Sequence, residues 1–380
     1  MKIRAAVVRS TGAAAPFATS RPVQIDEVEL DEPGHGEVLV RIRAAGLCHS
    51  DLSVINGDRP RAMPIALGHE ASAEVLRCGP GVDDLAAGDH VVLVFVPSCG
   101  CCLPCMEGRP ALCEPGAKAN AAGTLLGGGR RLHLADGGQL NHHTGVSCFA
   151  DHAVVSRRSC VKIAPGLSHR EAALFGCAVL TGAGAVLNSA RLQAGQTVAV
   201  VGLGGVGLSA LLAAVAAGAR AVVAVDLNDD KLALARRLGA TLAVNAADPD
   251  VVAQVHAHTA VGAAAGVDFG LEMAGSVKAF ELAFAITRRG GSTITSGLPN
   301  PASRFGLSLS QLVAEERSVR GSYLGSGVPA RDIPNLIALY RQGKLPVDQL
   351  MGEVWTLDTI NEGFDHLASG AGLRDVVLMD

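Results

Sequence analysis

The stretch Thr197–Gly207, TVAVVGLGGVG, followed by AVVAVD closing at Asp226, constrains the fold of this chain more than any other. Val198–Val201 and their neighbours form a continuous apolar run. Such a run predicts a parallel strand covered on both faces, because a strand buried on both sides need not alternate. Gly202-Leu203-Gly204-Gly205-Val206-Gly207 then fits G-x-G-x-x-G, and Leu208–Ala217 reads as an Ala/Leu-rich helix. In that pattern Gly202 permits a tight turn, Gly204 lets a pyrophosphate approach the backbone, and Gly207 brings the helix close to the strand. The unpaired N–H groups at the helix start face the phosphates. Asp226, at the end of the second strand, offers a carboxylate to the hydroxyls of an adenosine ribose. A glycine pattern alone says little among 46 glycines; strand, glycines, helix, strand and acid in that order say much more.

A chain of 380 residues predicts two domains. Its hydrophobic fraction is 49% but only 3% is aromatic, so the core must be built from Val, Leu and Ala. That composition suits parallel strands under helices. The net charge of −4 and the absence of a Lys/Arg block argue against a nucleic-acid partner. Arg4 and Arg9 interrupt the opening MKIRAAVVRS, which therefore does not read as a signal peptide. Gly218 and Arg220 interrupt the most apolar stretch, so no membrane partner is expected. Five of the ten cysteines lie within Cys99–Cys113, a clustering that points to metal rather than disulfides and to a cytoplasmic location.

The first ~95 residues read as β-rich, with strands predicted at Val23–Leu30, Glu37–Ala45, Ala71–Arg77 and His90–Val96 and a short helix at Ser50–Ile55. A glycine-rich loop is expected over Gly123–Gly138, then strands at Cys148–Val155 and Cys160–Ile163. Ser168 and Glu171 form a capping-box pattern for the next helix. From about Leu180 strands and helices alternate, giving a doubly wound parallel sheet. Its strands are expected at Thr197–Val201, Ala221–Asp226, Thr241–Val244, Val267–Leu271, Gly291–Gly297 and Ser318–Tyr323. The C-terminal segment is expected to return to the first domain.

Cys99-x2-Cys102-x2-Cys105-x7-Cys113 places four thiolates on one loop, the donor set of a closed tetrahedral zinc site. Cys101 leaves another choice of four open. A second set is dispersed: Cys48-His49-Ser50-Asp51, Gly68-His69-Glu70 and Gly176-Cys177. Taken singly, Cys48 and Cys177 also read as buried thiols and His69 as a core histidine. Spacing does not join residues so far apart.

Taken together, these pieces resemble the zinc-dependent medium-chain alcohol dehydrogenases over essentially the whole chain. Besides the two cysteine-bearing sets, the match includes Thr181-Gly182, Gly202–Gly207 with Asp226, and Asn361-Glu362-Gly363-Phe364. The extended region around Gly123–Gly145 resembles the longer, dimeric branch, which includes glutathione-dependent formaldehyde-oxidising enzymes. The resemblance implies an α/β protein. Its Rossmann domain would span residues 181–324, and its β-rich GroES-like catalytic domain residues 1–180 and 325–380, with a structural zinc loop at 99–113. It implies a homodimer, NAD, and two zinc ions per subunit.

Residue by residue, the resemblance implies that Cys48, His69 and Cys177 hold a catalytic zinc with one open position. Asp51 would orient His69 through its second ring nitrogen, and Glu70 would be the acid behind the metal. Ser50 would touch the substrate oxygen. His49 stands where many relatives carry an arginine against the pyrophosphate, and Ser53 where many carry a relay histidine. Thr181, Gly205, Val206 and Lys231 join Gly202, Gly204, Gly207 and Asp226 as cofactor contacts. Arg374 resembles a pyrophosphate contact, with a solvated surface arginine as the alternative. Phe95 falls where the family lines its substrate pocket, or is a plain core residue.

The implied reaction is hydride transfer between a primary or bulky apolar alcohol and NAD. Oxidation of S-(hydroxymethyl)glutathione is the nearest rival, with Arg59 and Lys118 in suitable regions but poorly matched. A non-catalytic nucleotide-binding relative is disfavoured because Cys48, His69 and Cys177 are all present. The Asp226 charge favours NAD over NADP, and Leu227-Asn228 supply no cation for a 2′-phosphate.

Overall fold

The structure, a computed structural model, describes residues 1–379. Contacts divide the chain into two compact units. One comprises Met1–Cys177, Val328–Asn335 and Met351–Asp380; the other comprises Ala178–Gly327 and Leu336–Leu350.

The first unit is β-rich. Strands Lys2–Val8, Val23–Leu30, Leu132–His133, Gln139–His142 and Ile65–Ala66 close a small barrel. A second sheet of seven strands is built around Glu37–Gly46, which pairs antiparallel with Ala71–Cys78 on one side. Strand His152–Ser156 and the C-terminal strand Arg374–Leu378 also pair with it, the latter in the register Val376↔Gly46. Phe149 and Phe364 meet edge-to-face at 6.2 Å in the core between elements, with Ile42, Leu47 and Ile55 around them. Asn361 fastens this core by a reciprocal pair of bonds: its amide donates to the Val23 carbonyl at 2.9 Å and accepts the Val23 N–H at 3.2 Å. Ser168 and Glu171 form the expected capping box.

The second unit is a six-stranded, all-parallel sheet. Its strand order is Leu242–Asn245, Ala221–Asp226, Thr197–Val201, Val267–Glu272, Thr287–Thr295, Ser318–Gly321. That is the doubly wound order with the Thr197–Val201 strand at its centre. All five residues of this strand are buried, which is why it reads as an unbroken apolar run. Helix Gly205–Ala216 follows at once, its first turn starting three residues before the predicted Leu208.

The structure departs from the predicted elements where glycine and proline dominate. The region Gly123–Gly138, expected to be one loop, contains the short strand Leu132–His133; the strand Gln139–His142 follows it and a helix at Glu114–Ala122 precedes it. The strand predicted from Cys148 begins only at His152, because Thr144 and Ser147 take left-handed φ values of 52° and turn the chain first. The terminal strand Arg374–Leu378 and the helix Val251–Thr259 were not foreseen. No single helix among the described residues is long and apolar enough to cross a membrane.

Candidate active site

Strand Glu37–Gly46 delivers Leu47 and then Cys48, whose extended backbone caps the helix His49–Ile55. The strand Ala71–Cys78 is preceded by Gly68-His69-Glu70. Gly68 has φ +95°, and a Cβ there would lie 2.4 Å from the Phe149 backbone nitrogen, so only glycine brings His69 into place. Cys177 sits in the bend between the turn Leu174–Gly176 and the helix Ala178–Gly184.

These segments converge. Ligand atoms of Cys48, His69, Glu70 and Cys177 all lie within 4.8 Å of one another, and all four residues are buried. The Glu70 carboxylate pairs with Arg374, which leaves two sulfurs and one imidazole turned to a common point. His69 Nδ1 lies 3.0 Å from Asp51 Oδ2. Its Nε2 is buried without a hydrogen-bond partner. An imidazole whose Nδ1 faces a buried carboxylate at 3.0 Å and whose Nε2 lies buried beside two thiols is a donor set for a zinc-like cation.

The electrostatics agree with that geometry. A hydrogen bond from Cys177 holds the Cys48 thiol well below its ordinary range; Arg374 and His69 add to this and burial opposes it. Burial lowers the pKa of His69, but Asp51 and Cys48 outweigh it and carry it up to about 10. Burial raises Asp51, yet His69 and His143 together bring it below the usual carboxylate range.

Arg374 is not a solvated surface residue. It is 5% exposed and donates from Nη1 to the Leu47 carbonyl at 3.0 Å while pairing with Glu70. Phe95 is half-buried and stands edge-on to His69, ring centroids 5.3 Å apart, rather than lying in the core. Ser50 is half-buried and His49 exposed at the start of their helix. The Ser53 hydroxyl donates back to the His49 carbonyl at 2.7 Å. Arg59 is half-buried, and Lys118 is exposed on the Glu114–Ala122 helix. His143 escaped the sequence reading although its Nδ1 lies 3.0 Å from Asp51 Oδ1. The adjacent pair His142-His143 in a loop otherwise poor in charge was the available signal.

The thiols of Cys99, Cys102, Cys105 and Cys113 form a second group within 4.8 Å. Cys101 is exposed and outside it. Backbone N–H groups point at the sulfurs: Cys102 to Cys99 at 3.3 Å, Cys99 to Cys113 at 3.2 Å, and Gly116 to Cys113 at 3.3 Å. The N–H groups of Cys101 and Cys102 lower Cys99 to about 6, whereas burial pushes Cys105 up to about 12. Four sulfurs so placed fit a closed tetrahedral metal site.

In the second unit, Gly202 has φ +96°, and a Cβ on Gly207 would lie 1.8 Å from the Gly202 carbonyl oxygen. Gly204 differs. Its backbone, φ −71° and ψ −176°, suits any residue, and a Cβ there meets nothing within 4 Å. Neither strain nor packing calls for glycine at 204, so the open cradle fits a group laid against the backbone, as a dinucleotide would be. Val206 and Gly205 open the helix, and Gly182 lets the buried Thr181 segment close on it, its Cβ position lying 2.1 Å from the Val206 carbonyl. Asp226 accepts from Leu203 N–H at 2.6 Å and Asn228 N–H at 2.9 Å. Lys231 is half-buried on the helix Asp229–Arg237.

Comparison with known proteins follows this division. Residues 34–165 match the family described as alcohol dehydrogenase GroES-like domain, and residues 205–342 the one described as zinc-binding dehydrogenase. The NDMA-dependent alcohol dehydrogenase of Amycolatopsis methanolica is 37% identical, covering 100% of this chain and 99% of its own. The chain belongs to the zinc-dependent medium-chain alcohol dehydrogenases. The S-(hydroxymethyl)glutathione dehydrogenase of Paracoccus denitrificans is 33% identical over 97% of this chain and 99% of its own. Among solved structures, benzyl alcohol dehydrogenase from Acinetobacter calcoaceticus superposes with a TM-score of 0.91 at 32% identity, covering 100% of both chains. This alcohol dehydrogenase is therefore an oxidoreductase of a family that binds zinc and NAD(H).

Proposed function

We propose that the chain interconverts primary or bulky apolar alcohols and their aldehydes with NAD. A catalytic zinc would be held by Cys48, His69 and Cys177, and a structural zinc by Cys99, Cys102, Cys105 and Cys113. The observation that carries this reading is the convergence of Cys48, His69 and Cys177 within 4.8 Å with Asp51 behind the imidazole. The edge-on Phe95 ring supplies an apolar wall beside His69, which favours an aromatic or aliphatic substrate.

Bound there, zinc supplies a Lewis acid that brings an alcohol pKa toward neutrality, and bound NAD+ supplies the hydride acceptor. The protein's own groups do the rest. Asp51 holds the proton of His69 on Nδ1 and so keeps Nε2 available as a ligand. Arg374 neutralises Glu70 and holds its carboxylate off the site. The Ser50 hydroxyl would relay the alcohol proton, accepting it as it passes its own to water. Ser53 does not extend that path, since its hydroxyl is spent on the His49 carbonyl; water completes it.

We also assign the homodimer to the exposed sheet edge at Ser318–Gly321, whose Val319 is 41% exposed. The expected location is cytoplasmic, where thiols stay reduced. Initial rates with NAD on benzyl alcohol, cinnamyl alcohol and S-(hydroxymethyl)glutathione test the substrate class. Higher kcat/KM on the aromatic alcohols is expected. Preference for the glutathione adduct overturns the proposal in favour of formaldehyde oxidation. Light scattering on the purified protein tests the dimer.

A further inference from the structure

Asp51 is shared. Its Oδ2 faces His69 Nδ1 at 3.0 Å, and its Oδ1 faces His143 Nδ1 at 3.0 Å while accepting the Gly68 N–H at 3.2 Å. Asp51, His69 and His143 are 0%, 1% and 2% exposed, so water does not substitute for any of these donors. The two imidazoles meet edge-to-face with centroids 5.6 Å apart.

His143 is held there by a costly local backbone. Thr144 and Ser147 both adopt φ 52°, a left-handed conformation that non-glycine residues rarely take. The turn is locked to the segment that carries His69. The Ser147 hydroxyl accepts the His143 N–H at 2.9 Å and donates to the Ala66 carbonyl at 2.8 Å. Cys148 N–H donates to the Gly68 carbonyl at 3.2 Å, and Phe149 N–H to that of Leu67 at 3.1 Å. Strained backbone tied on both sides of one contact marks that contact as the object of the arrangement.

We propose that His143 is a positioning residue for the metal ligand His69, acting through the Asp51 carboxylate that the two histidines share. Each carboxylate oxygen faces one imidazole Nδ1 at 3.0 Å, and this pair of contacts, one on either side, fixes the plane of the carboxylate. Remove the His143 contact and Oδ1 keeps only the Gly68 amide, at 3.2 Å, so rotation about the Cβ–Cγ bond is less restrained. Oδ2 then no longer aims at His69 Nδ1, and the imidazole loses the brace that points Nε2 at Cys48 and Cys177. Partners of metal-ligating histidines typically contribute about 10–100-fold in metal affinity, and His143 acts one contact further out. A loss of about 10-fold is expected.

This inference rests on the catalytic zinc proposed above, and its test separates the two. Asparagine and leucine are isosteric, but only asparagine presents an N–H where His143 carries Nδ1. Zinc affinity is measured by chelator competition on wild type, H143N and H143L, with the four-cysteine site as internal reference. Expected is a second, catalytic equivalent bound about 10-fold more weakly in H143L and within about 3-fold of wild type in H143N. Equal affinity in all three proteins, or H143N as weak as H143L, overturns the role of the hydrogen bond. A third equivalent held by Asp51, His69 and His143 also overturns it. Wild type binding only the four-cysteine equivalent overturns the catalytic-zinc reading itself, and this inference with it. If H143L does not fold, the wild-type protein decides. The His143 Nδ1–H resonance should shift when the catalytic zinc is removed, and an unmoved resonance overturns the coupling.

Discussion

Asp226 and Leu203 are joined by a hydrogen bond of 2.6 Å, from the Leu203 N–H to a carboxylate 23 residues further along the chain. The acid at the end of the second strand thus braces the glycine turn, and on the proposed reading it would also face the ribose of a bound dinucleotide. With NAD and NADP affinities as the measurement, D226A should relax the preference for NAD by about 10-fold, equivalent to about 1.4 kcal/mol. D226N, which keeps an acceptor for Leu203, should relax the preference while losing less NAD affinity. A wild-type protein that already favours NADP contradicts this reading of Asp226.

Gly204 and Gly207 should respond differently to one added methyl group. G204A meets no protein atom within 4 Å and should fold with its thermal midpoint unchanged, yet bind NAD at least about 10-fold more weakly. G207A drives a carbon to within 1.8 Å of the Gly202 carbonyl and should lose on the order of 3 kcal/mol or fail to fold. Calorimetric NAD titration beside thermal unfolding reads both. Equal NAD affinity in wild type and G204A contradicts the cradle.

The cysteine lobe offers a test by metal content. C113S should release one zinc per chain and destabilise the protein by several kcal/mol, on the order of 3. C101S should keep all its zinc and its stability, because Cys101 lies outside the group of four. Zinc analysis with thermal unfolding distinguishes them. Loss of zinc from C101S would reassign the ligands.

Acid should destabilise the protein through His142, whose pKa burial, with Arg130 and Arg131 nearby, pushes down from 6.5 to about 3. Below pH 6.5 the unfolded chain binds this proton and the folded protein does not. The stability held by the neutral ring is therefore complete above pH 6.5 and is lost progressively as the pH falls toward 3. One such proton contributes a slope of about 1.4 kcal/mol per pH unit. H142Q keeps an acceptor for the Arg131 N–H that His142 Nε2 now receives at 3.0 Å. Urea unfolding between pH 6 and 4 should show a shallower slope in H142Q by about that amount; an unchanged slope contradicts the assignment.

The doubly wound sheet was legible because its central strands Thr197–Val201 and Ala221–Asp226 are local apolar runs joined by an apolar helix, whereas the edge strand Ser318–Gly321 and the helix Val251–Thr259 carry weaker signals. Register and order then follow from handedness. The short barrel strands at Leu132–His133 and Gln139–His142 were not legible, since two to four residues among glycines carry no period. The four-cysteine lobe could be read from spacing because its ligands sit on one loop. Cys48, His69 and Cys177 could be joined only through resemblance, for no periodicity links three segments that meet solely in space. His143 was lost for the same reason: its contact with Asp51 is made by a left-handed turn that sequence does not announce. Arg374 was expected at a pyrophosphate or on the surface; its burial and its pairing with Glu70 depended on a terminal strand that was not predicted.

The strand Arg374–Leu378 lies against Glu37–Gly46 and carries the arginine that pairs with Glu70. A nascent polypeptide therefore exposes Cys48, His69 and Cys177 long before the ribosome has made the residue that restrains the neighbouring glutamate. If zinc is held there, the complete centre exists only once Arg374 is in place, and a chain lacking that residue would present an extra carboxylate to the ion.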